Sequence, residues 1–200
     1  MTDYIFVFDL DSTISKVEIL PTISAKIGCQ KEMRELTEST MRGEIPFKQS
    51  FLKRVELLKD IDVSEVRRTV EHIQLNQAIV QFIADNADRC FVVTGNLDIW
   101  ICDLMKKIGM SNHTYCSKAE VKYNRIYEVV SVVDKELVAK QFVRPIVVIG
   151  DGDNDAGMAR MADVAIGFGG VRPIANSLLQ VIDYAFYDDK RCSDFLRTLL

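Results

Sequence analysis

The sequence lacks paired cysteines, long apolar runs and any excess of positive charge, and each absence narrows what the chain can be. Its five cysteines (Cys29, Cys90, Cys102, Cys116, Cys192) are odd in number, scattered and without a C-x-x-C spacing. They read as reduced, mostly buried thiols of a cytosolic protein. No run approaches the ~18 apolar residues that a membrane helix needs, and the chain does not open on a basic region followed by an apolar segment. The expectation is a cytoplasmic protein with neither signal peptide nor membrane span. A net charge of -4 and a pI near 5.3 argue against nucleic acid as the main partner. Low-complexity segments and repeats are missing too. The two histidines, His72 and His113, fit no site and read as surface or packing residues.

What is present is ample core. With 200 residues, 48% hydrophobic and 27% charged, the chain has room for one large domain or a core with a modest insertion. Ile5-Phe6-Val7-Phe8, Cys90 to Gly95 and Ile146-Val147-Val148-Ile149 are short apolar runs of the kind buried in parallel sheets. Weaker strands follow at Val164 to Ile166 and Tyr184 to Phe186, and a hairpin is expected around Tyr123-Asn124-Arg125. Helices are predicted at Asn76 to Ala87, Asp98 to Ile108, Asp134 to Phe142 and Ala156 to Ala162, with one more at the carboxyl end. Strands alternating with helices specify an α/β fold, a parallel sheet covered on both faces.

Between Val17 and Ile73 the strand-like runs vanish. Four helices are predicted there: Glu18 to Ile27 closed by Gly28, Gln30 to Arg42 closed by Gly43, Phe47 to Lys59 opened by Pro46, and one starting at Asp62. This reads as a small helical bundle, residues 16–74, inserted into a core made of residues 1–15 and 75–200.

Three strands end in polar clusters: Asp9/Asp11, Thr94/Gly95 and Asp151 to Asp155. Open α/β sheets place ligands at the carboxyl ends of their strands, so these clusters converge on one edge. Asp9 and Asp11, two residues apart, point the same way if the strand geometry persists. Like charges that close need a cation between them or a shared proton, although Asp-x-Asp alone fits a solvated loop equally well. Asp9, Asp11, Asp151 and Asp155 are hard oxygen ligands suited to Mg²⁺. Thr94 offers a hydroxyl, and Gly95 lets a backbone N–H approach an anion. Lys135 stands in the first turn of a predicted helix, the wrong end for a positive charge, and is the leading cation for phosphate; a solvated lysine is the ordinary alternative. The chemistry that fits is phosphoryl transfer to Asp9, with Asp11 protonating the leaving alcohol and then taking a proton from water.

Phe-Asp-Leu-Asp-Ser-Thr, a strand ending in Thr94-Gly95, a lysine, then Gly-Asp-Gly-Asp-Asn-Asp resembles the haloacid dehalogenase superfamily, whose motifs stand here in order. The resemblance implies a Rossmann-like parallel core with an inserted helical cap, Asp9 as nucleophile, and Mg²⁺ held by Asp9, the Asp11 main-chain carbonyl and Asp151, with Asp155 assisting. Met41 to Val55 is similar to the cap segment of the phosphoserine phosphatases. Arg54 falls within an apolar helical stripe with Phe47, Phe51, Val55 and Leu58, where an arginine either snorkels out or grips a carboxylate. By resemblance, Arg54 holds a substrate carboxylate and Glu18 an ammonium, Met41 and Phe47 wall the pocket, and Asn154 joins Thr94 and Gly95 in binding substrate. The implied reaction is hydrolysis of a small phosphate ester, O-phosphoserine first. The alternatives are a phosphotransferase, a phosphatase of another small metabolite, or a phospho-accepting signalling domain. Three departures stand out: Asn96 where the family has a second glycine, Asp153 within the last motif, and a short stretch after Lys135 that leaves Lys140 as its alternative. The sequence does not speak to oligomeric state.

Overall fold

Strand β1 (Ile5–Phe8) is buried at every position and lies at the centre of the molecule. The computed structural model describes residues 3–41, 44–143 and 145–200. β1 pairs in parallel with β2 (Cys90–Leu97) on one side and β5 (Ile146–Gly150) on the other. With β3 (Thr114–Lys122), β4 (Arg125–Ser131), β6 (Val164–Phe168) and β7 (Tyr184–Phe186), they form a seven-stranded sheet in the order β4-β3-β2-β1-β5-β6-β7. Only the β3–β4 pair is antiparallel. The expected α/β architecture is therefore what the chain adopts.

The period of two along β1 divides the core in half. Phe6 and Phe8, with Val147 and Ile149 of β5, face one apolar cluster. Ile5 and Val7, with Ile146 and Val148, face the other. The first cluster takes in α5 (Gln77–Asp85), α6 (Asp98–Lys107) and α10 (Asp189–Arg197) through Phe82, Trp100, Leu104 and Leu196. The second is closed by α7 (Lys135–Ala139), α8 (Ala156–Ala159) and α9 (Asn176–Leu179). Along β1 and β5 every position is apolar or glycine and buried, so polar side chains begin where these strands end.

Four helices occupy the segment after β1, as the sequence predicts: α1 (Ile19–Ser24), α2 (Gln30–Met41), α3 (Phe47–Leu58) and α4 (Val63–Glu71). Their buried residues, among them Ile19, Ile23, Phe51, Val55 and Val66, join the first cluster. The chain leads into and out of this segment side by side, with Lys16 N–H donating to Gln74 at 2.8 Å and Asn76 N–H to Ile14 at 2.9 Å. α1 ends three residues earlier than its apolar spacing predicts, ahead of Gly28, whose φ of +74° only glycine adopts at low cost. The predicted end of α2 at Arg42 and Gly43 lies outside the described residues. α7 and α8 are one turn each, shorter than predicted.

The hairpin is longer than expected, with nine and seven residues in β3 and β4. Tyr123 and Asn124, at φ 51° and 62°, give both central turn positions the positive φ of a type I′ connection. β2 also continues past Gly95 to Leu97, and its register against β3 slips between Thr94 and Leu97. That irregularity brings Gly95 and Asn96 into the site described next.

Candidate active site

The polar strand ends meet at the carboxyl edge of the sheet, on the side of α1–α3. Asp9 follows β1 directly and is still tied to β5, its N–H donating to Ile149 at 2.9 Å. Its Oδ1 accepts from Leu10 N–H at 2.7 Å and lies 2.5 Å from Lys135 Nζ. The same ammonium donates to Asp155 Oδ1 at 2.7 Å. Lys135 is thus a buried bridge between two buried carboxylates, which explains a cation in the first turn of α7 where the helix dipole disfavours it. Lys140, its alternative, is exposed and pairs with Glu136 at 2.6 Å, away from the site.

Asp155 also organises the loop after β5. Its Oδ2 accepts from the N–H groups of Asp151 and Gly152 at 3.0 and 2.9 Å. A Cβ at Gly150 would sit 2.5 Å from the Asp155 carboxyl, so the motif's first glycine is needed for this fold-back. Asp151 is fully buried; Arg172 Nε donates to its Oδ2, while its Oδ1 has no hydrogen-bond partner. One carboxylate oxygen from each of Asp9, Asp151 and Asp155 falls within 4.8 Å of the others.

Asp11 is held differently. After Leu10 the chain makes a tight turn, closed by Ser15 N–H donating to Leu10 at 2.9 Å, with Ser12 at φ +55°. This turns the Asp11 carboxylate away from the acidic trio. Its Oδ1 accepts from Ile19 N–H at 2.7 Å, and its Oδ2 from Asn96 Nδ2 at 2.5 Å. Thr94 is buried beside it, its Oγ1 accepting from Asn96 Nδ2 at 3.0 Å. Gly95 carries the ring of Phe47, which would collide with any Cβ there.

A pocket opens over these groups. It is lined at its floor by Asp9, Asp11, Gly95, Asn96 and Asn154, and at its sides by Glu18, Phe47, Phe51, Arg54 and Arg172. Arg54 does not snorkel out: it is 6% exposed, its guanidinium lies 5.9 Å from the Phe47 ring centre, and its Nε has no partner. Glu18 accepts from Ser12 Oγ at 3.0 Å and pairs with Arg172 at 2.8 Å. Met41 ends α2, and its side chain lies outside the described residues. Asp153 is not part of the acidic trio. Arg172 is the residue that sequence reasoning missed. The signal was an arginine in the loop after the apolar strand Val164–Phe168, another strand end on the same edge.

Five carboxylates (Asp9, Asp11, Glu18, Asp151, Asp155) share this space with three cations (Arg54, Lys135, Arg172), an excess of two negative charges. Burial, and then Asp155, raise the Asp9 carboxyl well above its ordinary value. Burial and Glu18 push Asp11 up to about 6, against the bonds from Ile19 and Asn96. Burial and Asp155 take Asp151 to about 7, although Arg172 pulls it down. Against the cost of burial, Asp155 and Asp9 hold the Lys135 ammonium above its usual range. Burial lowers Arg54. Carboxyls held protonated for want of a counter-charge are what a divalent cation would relieve, and the unpartnered Asp151 Oδ1 is an oxygen ready to ligate one. The donor set fits a hard cation.

The motifs that supply these groups span the core. A family model described as haloacid dehalogenase-like hydrolase matches residues 6–160. The chain belongs to this family. Within this family it is similar to phosphoserine phosphatases. Among curated relatives, the phosphoserine phosphatase of Methanocaldococcus jannaschii is 28% identical over 179 residues, 82% of this chain and 84% of that protein. The phosphoserine phosphatase of Archaeoglobus fulgidus is also 28% identical over 179 residues, 82% of this chain and 52% of that protein, so the chain spans about half of its length. The chain superposes on a solved phospho-aspartyl intermediate analogue of phosphoserine phosphatase with a TM-score of 0.82, at 24% identity, covering 98% of this chain and 99% of that one. This last likeness concerns the fold. Among the described residues, no helix is long and apolar enough to cross a membrane.

Proposed function

We propose that the protein is a Mg²⁺-dependent hydrolase of small phosphate monoesters, O-phosphoserine foremost, working through an aspartyl-phosphate on Asp9. The observation that carries this reading is the pairing of Asp9 with Lys135 at the pocket floor beside a separately held Asp11. Asp9 is fixed by Leu10 N–H and Lys135 on one oxygen, so it is oriented for attack on phosphorus. Asp11 gives its proton to the leaving alcohol, then takes one from the water that cleaves the acyl phosphate; a carboxyl near 6 serves both directions at neutral pH. Lys135, Thr94, the Gly95 N–H and Asn154 hold the phosphoryl oxygens. Asp9, the Asp11 carbonyl and Asp151, with Asp155 assisting, would hold the cation, which would supply neutralising charge for the phosphoryl oxygens.

Residues 16–74 act as a cap over a core of 1–15 and 75–200. From it, Arg54 takes the substrate carboxylate with its unpartnered Nε, Glu18 the ammonium, and Met41 and Phe47 wall the pocket. The relatives' names support phosphoserine as substrate. The free cysteines support a reducing, cytoplasmic setting.

The test is phosphate release with Mg²⁺ from O-phosphoserine beside phosphorylated sugars, alcohols and amino acids, with Asp9→Asn as control. Selective turnover of phosphoserine, lost by at least ~10³-fold in Asp9→Asn, is expected. Wild-type-like turnover in that variant overturns the mechanism, and turnover confined to other esters overturns the assignment of Glu18 and Arg54.

A further inference from the structure

Asn96 occupies the position where the superfamily pattern has a second glycine, and it is 1% exposed. Its Nδ2 donates both to Asp11 Oδ2 at 2.5 Å and to Thr94 Oγ1 at 3.0 Å. Its own N–H also donates to Thr94 Oγ1, at 3.2 Å. With Asp11 ionised the amide keeps this orientation, because its oxygen would otherwise face a carboxylate. Oδ1 is left buried and without a partner, in a residue that lines the pocket.

Asp11 is gripped at two points, by Ile19 N–H at the start of α1 and by Asn96 on β2. The first contact belongs to the helical segment, and the second belongs to the sheet. Asn96 therefore ties Asp11 to the same strand that carries Thr94 and Gly95.

We propose that Asn96 is a positioning and specificity residue: Nδ2 fixes Asp11 against the ester oxygen, and Oδ1 accepts a hydrogen bond from the leaving group. This rests on the phosphatase reading. As the Asp9–phosphorus bond forms and the ester P–O bond breaks, the Asp11 proton passes to the leaving oxygen, so misplacing Asp11 slows only leaving groups that need that proton. The substrate class is a phosphate ester of a small alcohol with an N–H or O–H beside the ester carbon. An ammonium there has three protons, enough for Glu18 and Asn96 together.

The experiment compares wild type, Asn96→Gly and Asn96→Ala on three substrates: O-phosphoserine, its des-amino analogue 3-phosphooxypropanoate, and p-nitrophenyl phosphate. kcat/KM reports the steps up to phosphoryl transfer, and nitrophenolate leaves without a proton. Ratios between substrates within one preparation cancel any loss of folded protein. In both variants kcat/KM for phosphoserine should fall at least ~10-fold further than for the aryl ester, as loss of a placed general acid does. The wild-type preference for phosphoserine over its des-amino analogue should shrink ~2- to 10-fold, the loss of one hydrogen bond. Equal losses on all three substrates, or none, overturn the proposal and leave the phosphatase reading intact. A wild type inactive on all three overturns that reading itself.

Discussion

At the scale of single residues, the site is a set of buried charges that hold one another in place. Lys135 is the keystone, since its ammonium touches both Asp9 and Asp155 and all three are buried. Removing one partner of a buried ion pair costs ~3–5 kcal/mol, because the remaining charges lose their compensation. Lys135→Met keeps the volume and removes the charge. It should lower the melting temperature by roughly 10 °C in chelator, given ~2–4 °C per kcal/mol for a chain of this size, and abolish turnover. A melting temperature unchanged by this variant would mean that Lys135 is not what neutralises the two carboxylates. The residue-level reading of the sequence reached this group from a single oddity, a lysine at the wrong end of a helix. It missed Arg172 because the only local mark is its place after a strand: its partners, Glu18 and Asp151, are more than a hundred and about twenty residues away along the chain.

At the scale of elements, most of the fold was legible because the strands are apolar runs and the helices follow their caps. Ile5–Phe8 and Ile146–Gly150 lie where composition puts them, since a strand buried on both faces has no other sequence to offer. The boundaries that shifted are those set by tertiary contact. β2 runs on to Leu97 through the irregularity that brings Gly95 and Asn96 to the pocket, and α7 stops at Ala139 rather than Phe142. α9, a single turn, carries no periodicity to detect. The packing of α3 on β2 is equally invisible in the sequence and has a direct test. The Phe47 ring covers Gly95, so Gly95→Ala must push the end of that ring aside. The ring is a movable side chain rather than backbone, so the change should cost little stability, within ~1 kcal/mol, while raising KM for phosphoserine by ~10-fold. Adding Phe47→Ala to Gly95→Ala should then cost less than the two single changes combined, because the collision is gone. Strict additivity would show that the two residues do not meet.

At the scale of the whole molecule, the buried acids make stability depend on pH and metal together. Asp9, Asp11 and Asp151 have folded-state values above the ordinary carboxylate value near ~4 that they regain on unfolding. Between pH ~4 and the folded values near 6 and 7, the folded protein binds more protons than the unfolded chain. Stability must therefore fall as pH rises through that window. Lys135, whose value is also raised, adds to this fall in stability only in strongly alkaline solution, so it leaves the slope between pH 5.5 and 8 to the carboxyls. Mg²⁺ at this site would bind the deprotonated carboxylates and so compete with those protons. In chelator, the melting temperature should drop from pH 5.5 to pH 8. With Mg²⁺ at ~100 times its dissociation constant, the protein should gain ~2.7 kcal/mol, or roughly 5–10 °C, at pH 8 and much less at pH 5.5. Calorimetry at both pH values, with and without the metal, measures all four corners of this linkage. A Mg²⁺ stabilisation that is the same at both pH values would mean that the ion binds without displacing protons, and therefore somewhere other than between Asp9 and Asp151.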